Sequence, residues 1–257
     1  MAEGSSWSAL RAGYDRNSGI TLAILLCTYA VVAVVWRRYI DLSQRDVLLV
    51  AIWLFMTALM CWGISPRRDI VRALVGFGGG LCIEAWGTVT EIWWYFTDER
   101  PPLWILPAWP VASIAIDRLA RATDLVLPEG EHRTLWFALL PPFVAGMTWW
   151  VWPYTNHPFT WFAIVMMGVV LLWPGDRRQD VTLMVAGAGL GFFLEYWGTS
   201  RRCWNYFTLA TPPVAAVFAH GFAAVAFQRV AALGDRLLTT IVASRLPTTE
   251  TGSSTAP

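Results

Sequence analysis

Eight apolar runs divide the chain, at residues 20–36, 47–64, 70–90, 102–116, 134–152, 159–173, 181–199 and 212–228. As helices, runs of this length suit about 30 Å of hydrocarbon, and a backbone that cannot bond to water there must close its hydrogen bonds within each segment. The sequence therefore predicts an all-α integral membrane protein of about eight transmembrane helices. Composition agrees, since 56% of the 257 residues are hydrophobic and 14% are charged, against about a quarter charged in soluble domains. The chain is also tryptophan-rich, with 17 indoles.

A repetition narrows the architecture further. The stretch IEAWGTVTEIWWYFTDERPP at 83–102 returns as LEYWGTSRRCWNYFTLATPP at 194–213, displaced by 111 residues. Aligned without a gap, Trp62 to Arg118 against Trp173 to Arg229, 20 of 57 positions are identical, among them Arg67/Arg178, Asp69/Asp180, Glu84/Glu195, Trp93/Trp204, Tyr95/Tyr206 and Pro101/Pro212. Each half holds four runs, an even number, so both halves enter the bilayer in the same direction. The expected form is two parallel four-helix repeats around a pseudo-two-fold axis along the membrane normal. Their expected limits are 20–117 and 134–229. A cytoplasmic N-terminal segment occupies 1–19, a polar cytoplasmic linker 118–133, and an amphipathic then disordered tail 230–257.

Every basic residue is an arginine, and twelve arginines fall on the side of the two termini against six on the other. The positive-inside rule then puts both termini in the cytoplasm of a bacterium, the chain in its inner membrane, and both repeated motifs toward the outer interface. The polar N-terminus has no apolar core with a cleavage site, so the first run is expected to direct insertion. A net charge of +1 gives no reason to expect nucleic acid, which needs a clustered basic surface. The four cysteines have no CxxC spacing, HxxH and HxxxH patterns are absent from the sequence, and its ExxH, Glu129 to His132, falls in the polar linker, so neither a metal centre nor a disulfide framework is expected. GxGxG at 76–80 lies inside an apolar run rather than after a strand, which is not the nucleotide-binding context. No cofactor is expected. The expected partner is a membrane lipid or isoprenoid, with homo-oligomer or subunit of a membrane complex both open.

On a helix Gly76, Gly80, Glu84, Gly87 and Thr88 share one face, as do Gly187, Gly191, Glu195, Gly198 and Thr199. Glycines four apart permit close helix approach. The third and seventh runs are thus expected to meet at the axis, bringing Glu84 and Glu195 near enough to share a proton. A carboxyl in hydrocarbon is costly when charged, so it must be neutral, paired or hydrogen-bonded; Thr88, Thr199, Tyr95 and Tyr206 are candidate partners. Trp86, Trp93, Tyr95, Trp197, Trp204 and Tyr206 are expected to line a cavity beside the two acids, although Trp and Tyr also collect at bilayer interfaces without further role. Trp109 and His220 occupy equivalent positions in the repeat and join the candidate substrate-binding set. Glu91 aligns with Arg202, and a pairing with Arg201 or Arg202 stands beside a solvated face as its expected setting.

A neutral, desolvated carboxylic acid beside electron-rich rings suits protonation of an isoprenoid double bond, because the acid keeps its proton and the rings tolerate the cation. The order Gly80, Glu84, Gly87, Tyr95, Pro101, Pro102 resembles the multi-span carotenoid hydratases, over about 25 residues in each repeat. That resemblance implies a carotenoid or other polyprenoid substrate and an acid role for Glu84 or Glu195. Three classes remain open on the sequence: a cofactor-free hydratase or cyclase of an isoprenoid lipid, a proton-coupled transporter or channel, and a non-catalytic pigment-binding or scaffold subunit.

Overall fold

The computed structural model describes residues 8, 11–35, 47–128, 130 and 132–245. Among them are α1 (Arg16–Val35), α2 (Val47–Met60), α3 (Pro66–Val89), β1 (Trp93–Tyr95), α4 (Ala108–Asp124), α5 (Arg133–Val151), α6 (Pro158–Leu172), α7 (Arg177–Ser200), β2 (Trp204–Tyr206) and α8 (Val214–Arg245). Each apolar run thus contributes one helix. Among the described residues four stretches are long and apolar enough to cross a membrane: α3, α5 with the 3-10 turn after it, α7, and α8 as far as Arg236. α6 and the part of α2 from Val50 are apolar but shorter. Arg37, Arg38 and Arg45, which enter the expected charge asymmetry, and the tail beyond 245 lie outside the described residues.

Two boundaries differ from those read in the sequence. The fourth helix begins at Ala108 rather than 102, because residues 102–107 turn back on themselves with Pro102 fully buried, and it runs on to Asp124. Hydropathy ends the segment at Asp117 and Arg118, but both charges are buried and paired: Arg118 donates to Asp69 at 2.7 Å and Asp117 accepts from Arg68 at 2.7 Å. Buried, paired charges let a helix continue where an apolar scale stops it. α8 likewise passes residue 230 without a break.

α7 is the most enclosed element, packed against α8 along its length and touching α4 and α5. Ala115, Leu140, Met184, Leu190, Phe222 and Val225 form the core between them. By contrast Ile24, Leu54, Leu74, Phe162, Val165 and Leu172 are exposed on outer helix faces, an apolar exterior that a lipid solvent would cover. A second core cluster, including Ile92, Trp93, Tyr95, Met147, Val151 and Tyr206, surrounds the two strands.

β1 and β2 pair antiparallel in the register Trp93 with Tyr206, Trp94 with Asn205 and Tyr95 with Trp204. Phe96 N–H donates to Cys203 O at 3.1 Å and Phe207 N–H to Ile92 O at 3.0 Å, extending the pairing at both ends. At the opposite end of the helices, Arg118 pairs with Asp69 and Arg229 with Asp180, at 2.7 and 2.6 Å. These buried pairs tie α3 to α4 and α7 to α8, and deleting one partner of such a pair typically costs roughly 3–5 kcal/mol.

Candidate functional site

α3 ends by placing Glu91 in the left-handed region, φ 61°, with Ile92 N–H donating to Gly87 O at 2.9 Å. α7 ends the same way, with Arg202 at φ 55° and Cys203 N–H donating to Gly198 O at 2.9 Å. This is the Schellman closure, which reverses the chain across the helix end. The following strand therefore runs back beneath the helix, and its first indole lies directly over the glycine one turn beyond the glutamate. A Cβ on Gly87 would collide with the Trp93 ring, and one on Gly198 with the Trp204 ring.

Glu84 and Glu195 are almost fully enclosed, 3% and 4% exposed. Trp93 Nε1 donates to Glu84 Oε2 at 3.1 Å, Tyr95 Oη to both carboxyl oxygens at 2.9 and 3.0 Å, and Trp109 Nε1 to Oε1 at 3.0 Å. Around Glu195, Trp204 Nε1 donates to Oε2 at 2.8 Å, Tyr206 Oη to Oε1 at 2.9 Å, and His220 Nε2 lies 2.9 Å from Oε1. The partners stand 9, 11 and 25 residues after the glutamate in both cases. Hydrogen bonds to a charged group are each worth about 1.5–3 kcal/mol, so three of them offset much of the cost of enclosing a carboxylate. A protonated carboxyl also fits, since a tyrosine hydroxyl accepts as well as donates.

Tyr95 and Tyr206 sit on the strands, outside the helices. Burial, and next the charge of the adjoining glutamate, raise both phenols well above the ordinary tyrosine value. They consequently remain O–H groups across the neutral range. The two carboxyl sites touch through rings: Trp93 lies 5.8 Å from Tyr206, Tyr95 5.9 Å from Trp204, and Trp109 stacks on His220 at 6.1 Å and 18°.

Several sequence expectations change here. The glycine stripes do not bring α3 and α7 together. A Cβ on Gly80 would enter the Trp109 ring and one on Gly191 would stand 2.7 Å from His220 Cβ, so the glycines seat α4 on α3 and α8 on α7, inside each half. The carboxyls are held by separate donor sets rather than by each other. Thr88 and Thr199 do not reach them, because each hydroxyl donates to the backbone carbonyl of the glutamate one turn earlier, at 2.6 Å. Trp86 and Trp197 stand behind the inner indoles, edge-on to Trp93 at 5.9 Å and Trp204 at 6.3 Å, and Trp86 Nε1 donates to Thr160 at 3.3 Å. Glu91 is exposed and pairs with Arg100 of its own loop at 2.6 Å.

The sequence reading passed over His220 as a glutamate partner and over the two buried Arg–Asp pairs. The signal was present in both cases. Asp69/Asp180 and Arg118/Arg229 are identities of the repeat, and His220 stands opposite Trp109, another N–H donor. Among the described residues no three His, Cys, Asp or Glu side chains come together as a metal site. Comparison with family models, with curated proteins and with solved structures gives no match to this chain.

Proposed function

We propose that the chain is a cofactor-free membrane enzyme that protonates a double bond of an isoprenoid lipid, as a hydratase or a cyclase. The observation that carries this reading is a difference in residue type between two carboxyl sites whose other partners match, Trp109 over Glu84 and His220 over Glu195. An indole N–H only donates a hydrogen bond, whereas imidazole is the side chain that passes protons near neutral pH. Glu195 with His220 is the proton donor, and Glu84 is the scaffold of the pair. The π electrons of the double bond take the proton to form a C–H bond, leaving a cation on the neighbouring carbon. The faces of Trp93, Trp109 and Trp204 stabilise that cation, each by up to about 2 kcal/mol where water is excluded. The cation then accepts water, which loses a proton to the pair, or accepts the electrons of a second double bond and loses a proton to it. Both routes restore the acid and consume no oxidant.

The same reading places all eight helices across a bacterial inner membrane, as two parallel four-helix repeats about a pseudo-two-fold axis, with both termini cytoplasmic. Its support is reciprocity of contacts. Trp93 pairs with Tyr206 as Tyr95 does with Trp204. Arg67 meets Asp235 at 3.7 Å as Arg178 meets Asp124 at 2.5 Å, and each of these residues stands 111 positions from its counterpart. The resemblance to carotenoid hydratases supplies the substrate class.

Glutamine at 84 or 195 is a poor probe by itself, because its amide offers one acceptor oxygen where the donors need two. His220→Trp instead gives the second site the donor set of the first. Lipid extracts of a host lacking the gene, complemented with each form, test the proposal by mass spectrometry. Wild type should shift an isoprenoid by the mass of water, or change its retention at constant mass. His220→Trp, at an equal membrane level, should lose about 100-fold or more of that product, and Trp109→His should keep it. Identical extracts with and without the wild-type gene would sink the enzyme reading in favour of proton-coupled transport or a pigment-holding scaffold.

A further inference from the structure

Some 25 Å along α3 from Glu84, at 1.5 Å per residue, a pocket of about 420 Å³ opens between the starts of α3 and α7 and the side of α8, lined by Arg67, Arg68, Arg72, Gln179, Gln228 and Asp235. Its charge balance is unlike that of the other ion pairs. Asp117 serves three guanidiniums, Arg68 at 2.7 Å, Arg72 at 3.2 Å and Arg121 at 3.1 Å, and Arg67 has Asp235 at 3.7 Å. Four cations thus meet two carboxylates, where Arg118 with Asp69 and Arg229 with Asp180 are one to one. Arg72 is 6% exposed, its terminal nitrogen donates to Gln228, and the Nε atoms of Arg68 and Arg72 are buried without a partner among the described residues, as are those of Arg118 and Arg229, so the excess of guanidiniums is what sets this place apart.

The second half shows what such a place lacks. At the start of α7 the Asp176 carboxylate caps the helix, accepting from Arg178 N–H at 2.8 Å and Gln179 N–H at 3.3 Å. The equivalent residue before α3 is Ser65, whose side chain makes no cap bond. Among the described residues the N–H groups of Arg67 and Arg68 have no capping side chain, the Asp69 carboxylate accepting from Ser65 N–H at 3.2 Å instead, and both residues line the pocket at the positive end of a 24-residue helix. The first half also replaces Leu183 and Ala232 of the second by Arg72 and Arg121.

We propose that this pocket binds a phosphate-bearing anion, whose oxygens take the place that the Asp176 carboxylate fills at α7 and bond to Arg67, Arg68 and Arg72. Helix N-termini and guanidinium forks both match phosphate geometry. The phosphate belongs either to a phospholipid head group or to a free anion. This site is independent of the glutamates and of the reaction proposed for them.

The test uses the full chain in zwitterionic detergent, with Tm followed against inorganic phosphate and, separately, against phosphatidylglycerol, and with bound lipid read by native mass spectrometry. Arg67→Gln removes a side chain that is 75% exposed, and Gln179→Glu sets a negative charge in the pocket wall; neither breaks a buried ion pair. Arg133→Gln is the control elsewhere on the molecule. Wild type and the control should gain Tm with ligand, and both pocket variants should weaken binding about tenfold or more. Response to phosphatidylglycerol alone assigns the lipid source, and response to inorganic phosphate assigns a soluble one. No response to either, or an equal response of wild type and both pocket variants, overturns the proposal.

Discussion

An indole N–H has no lone pair to offer, so a carboxyl facing two of them, as Glu84 faces Trp93 and Trp109, has its acceptor geometry dictated by its neighbours. The tyrosine is the adjustable member of each set. Because burial and then the adjacent glutamate hold Tyr95 and Tyr206 well above the ordinary phenol value, the fold favours their neutral form. The unfolded chain releases these protons near pH 10. Below that value this contribution to stability is complete, and above it the unfolded state binds fewer protons, so stability falls as pH rises toward the folded values. We expect the phenolate absorbance of wild type, less that of Tyr95→Phe or Tyr206→Phe, to show no step near pH 10 and to rise only with alkaline unfolding. A step near pH 10 in the folded protein would mean that these hydroxyls are not the enclosed donors described above. The residues of this site were largely legible, since the repeat marks Glu84, Trp93 and Tyr95 with their partners. The hydrogen-bond assignments were not: whether Thr88 turns to a carboxylate or to its own helix depends on χ1, which sequence spacing leaves undetermined.

Between residue and fold stand the helix ends and glycine seats. The stripes of Gly76, Gly80 and Gly187, Gly191 were legible as faces, but a stripe names no partner. The partner is α4 for α3 and α8 for α7, because the short Schellman reversal returns the chain to the helix it has just left. The left-handed residue of that reversal is Glu91 or Arg202 rather than glycine, at some strain cost, which hid the turn from a reading that looks for glycine there. The seats differ in what they tolerate. A Cβ on Gly187 would meet Gly221 Cα at 2.6 Å and His220 O at 2.8 Å, both backbone, while nothing lies within 4 Å of one on Gly189. Gly187→Ala must therefore push α8 from α7, and overpacking of this kind costs about 1–3 kcal/mol. Gly189→Ala, two residues away on the outer face, should be neutral or stabilising by up to about 1 kcal/mol. Denaturation midpoints in detergent check both, and equal effects would contradict the α7–α8 packing.

At the scale of the molecule, the eight apolar runs read as eight helices, but among the described residues length and composition mark four stretches as able to cross a bilayer unaided. α2 and α6 fall short by length, whereas α4, with 17 residues, also carries the buried Asp117 and Arg118, which a hydropathy scale penalises although partners meet their cost. The topology proposed here makes a strict demand on the loops. If every helix crosses, the turns carrying Asp98 and Leu209 share one side of the membrane, and those carrying Gly130 and Pro174 share the side of the termini. If only the four most apolar stretches cross, α4 and α6 stay on one side, and the turn around Asp98 shares its side with the turn around Gly130. Single-cysteine forms built on a chain without Cys27, Cys61, Cys82 and Cys203 separate the two arrangements. With a membrane-impermeant maleimide on intact cells, Asp98→Cys and Leu209→Cys should label at once, while Gly130→Cys and Pro174→Cys should label only after permeabilisation. Labelling of Asp98→Cys together with Gly130→Cys would remove α4 from the bilayer. The parallel repeats would fall with it, because a half with three crossings reverses the direction of the next.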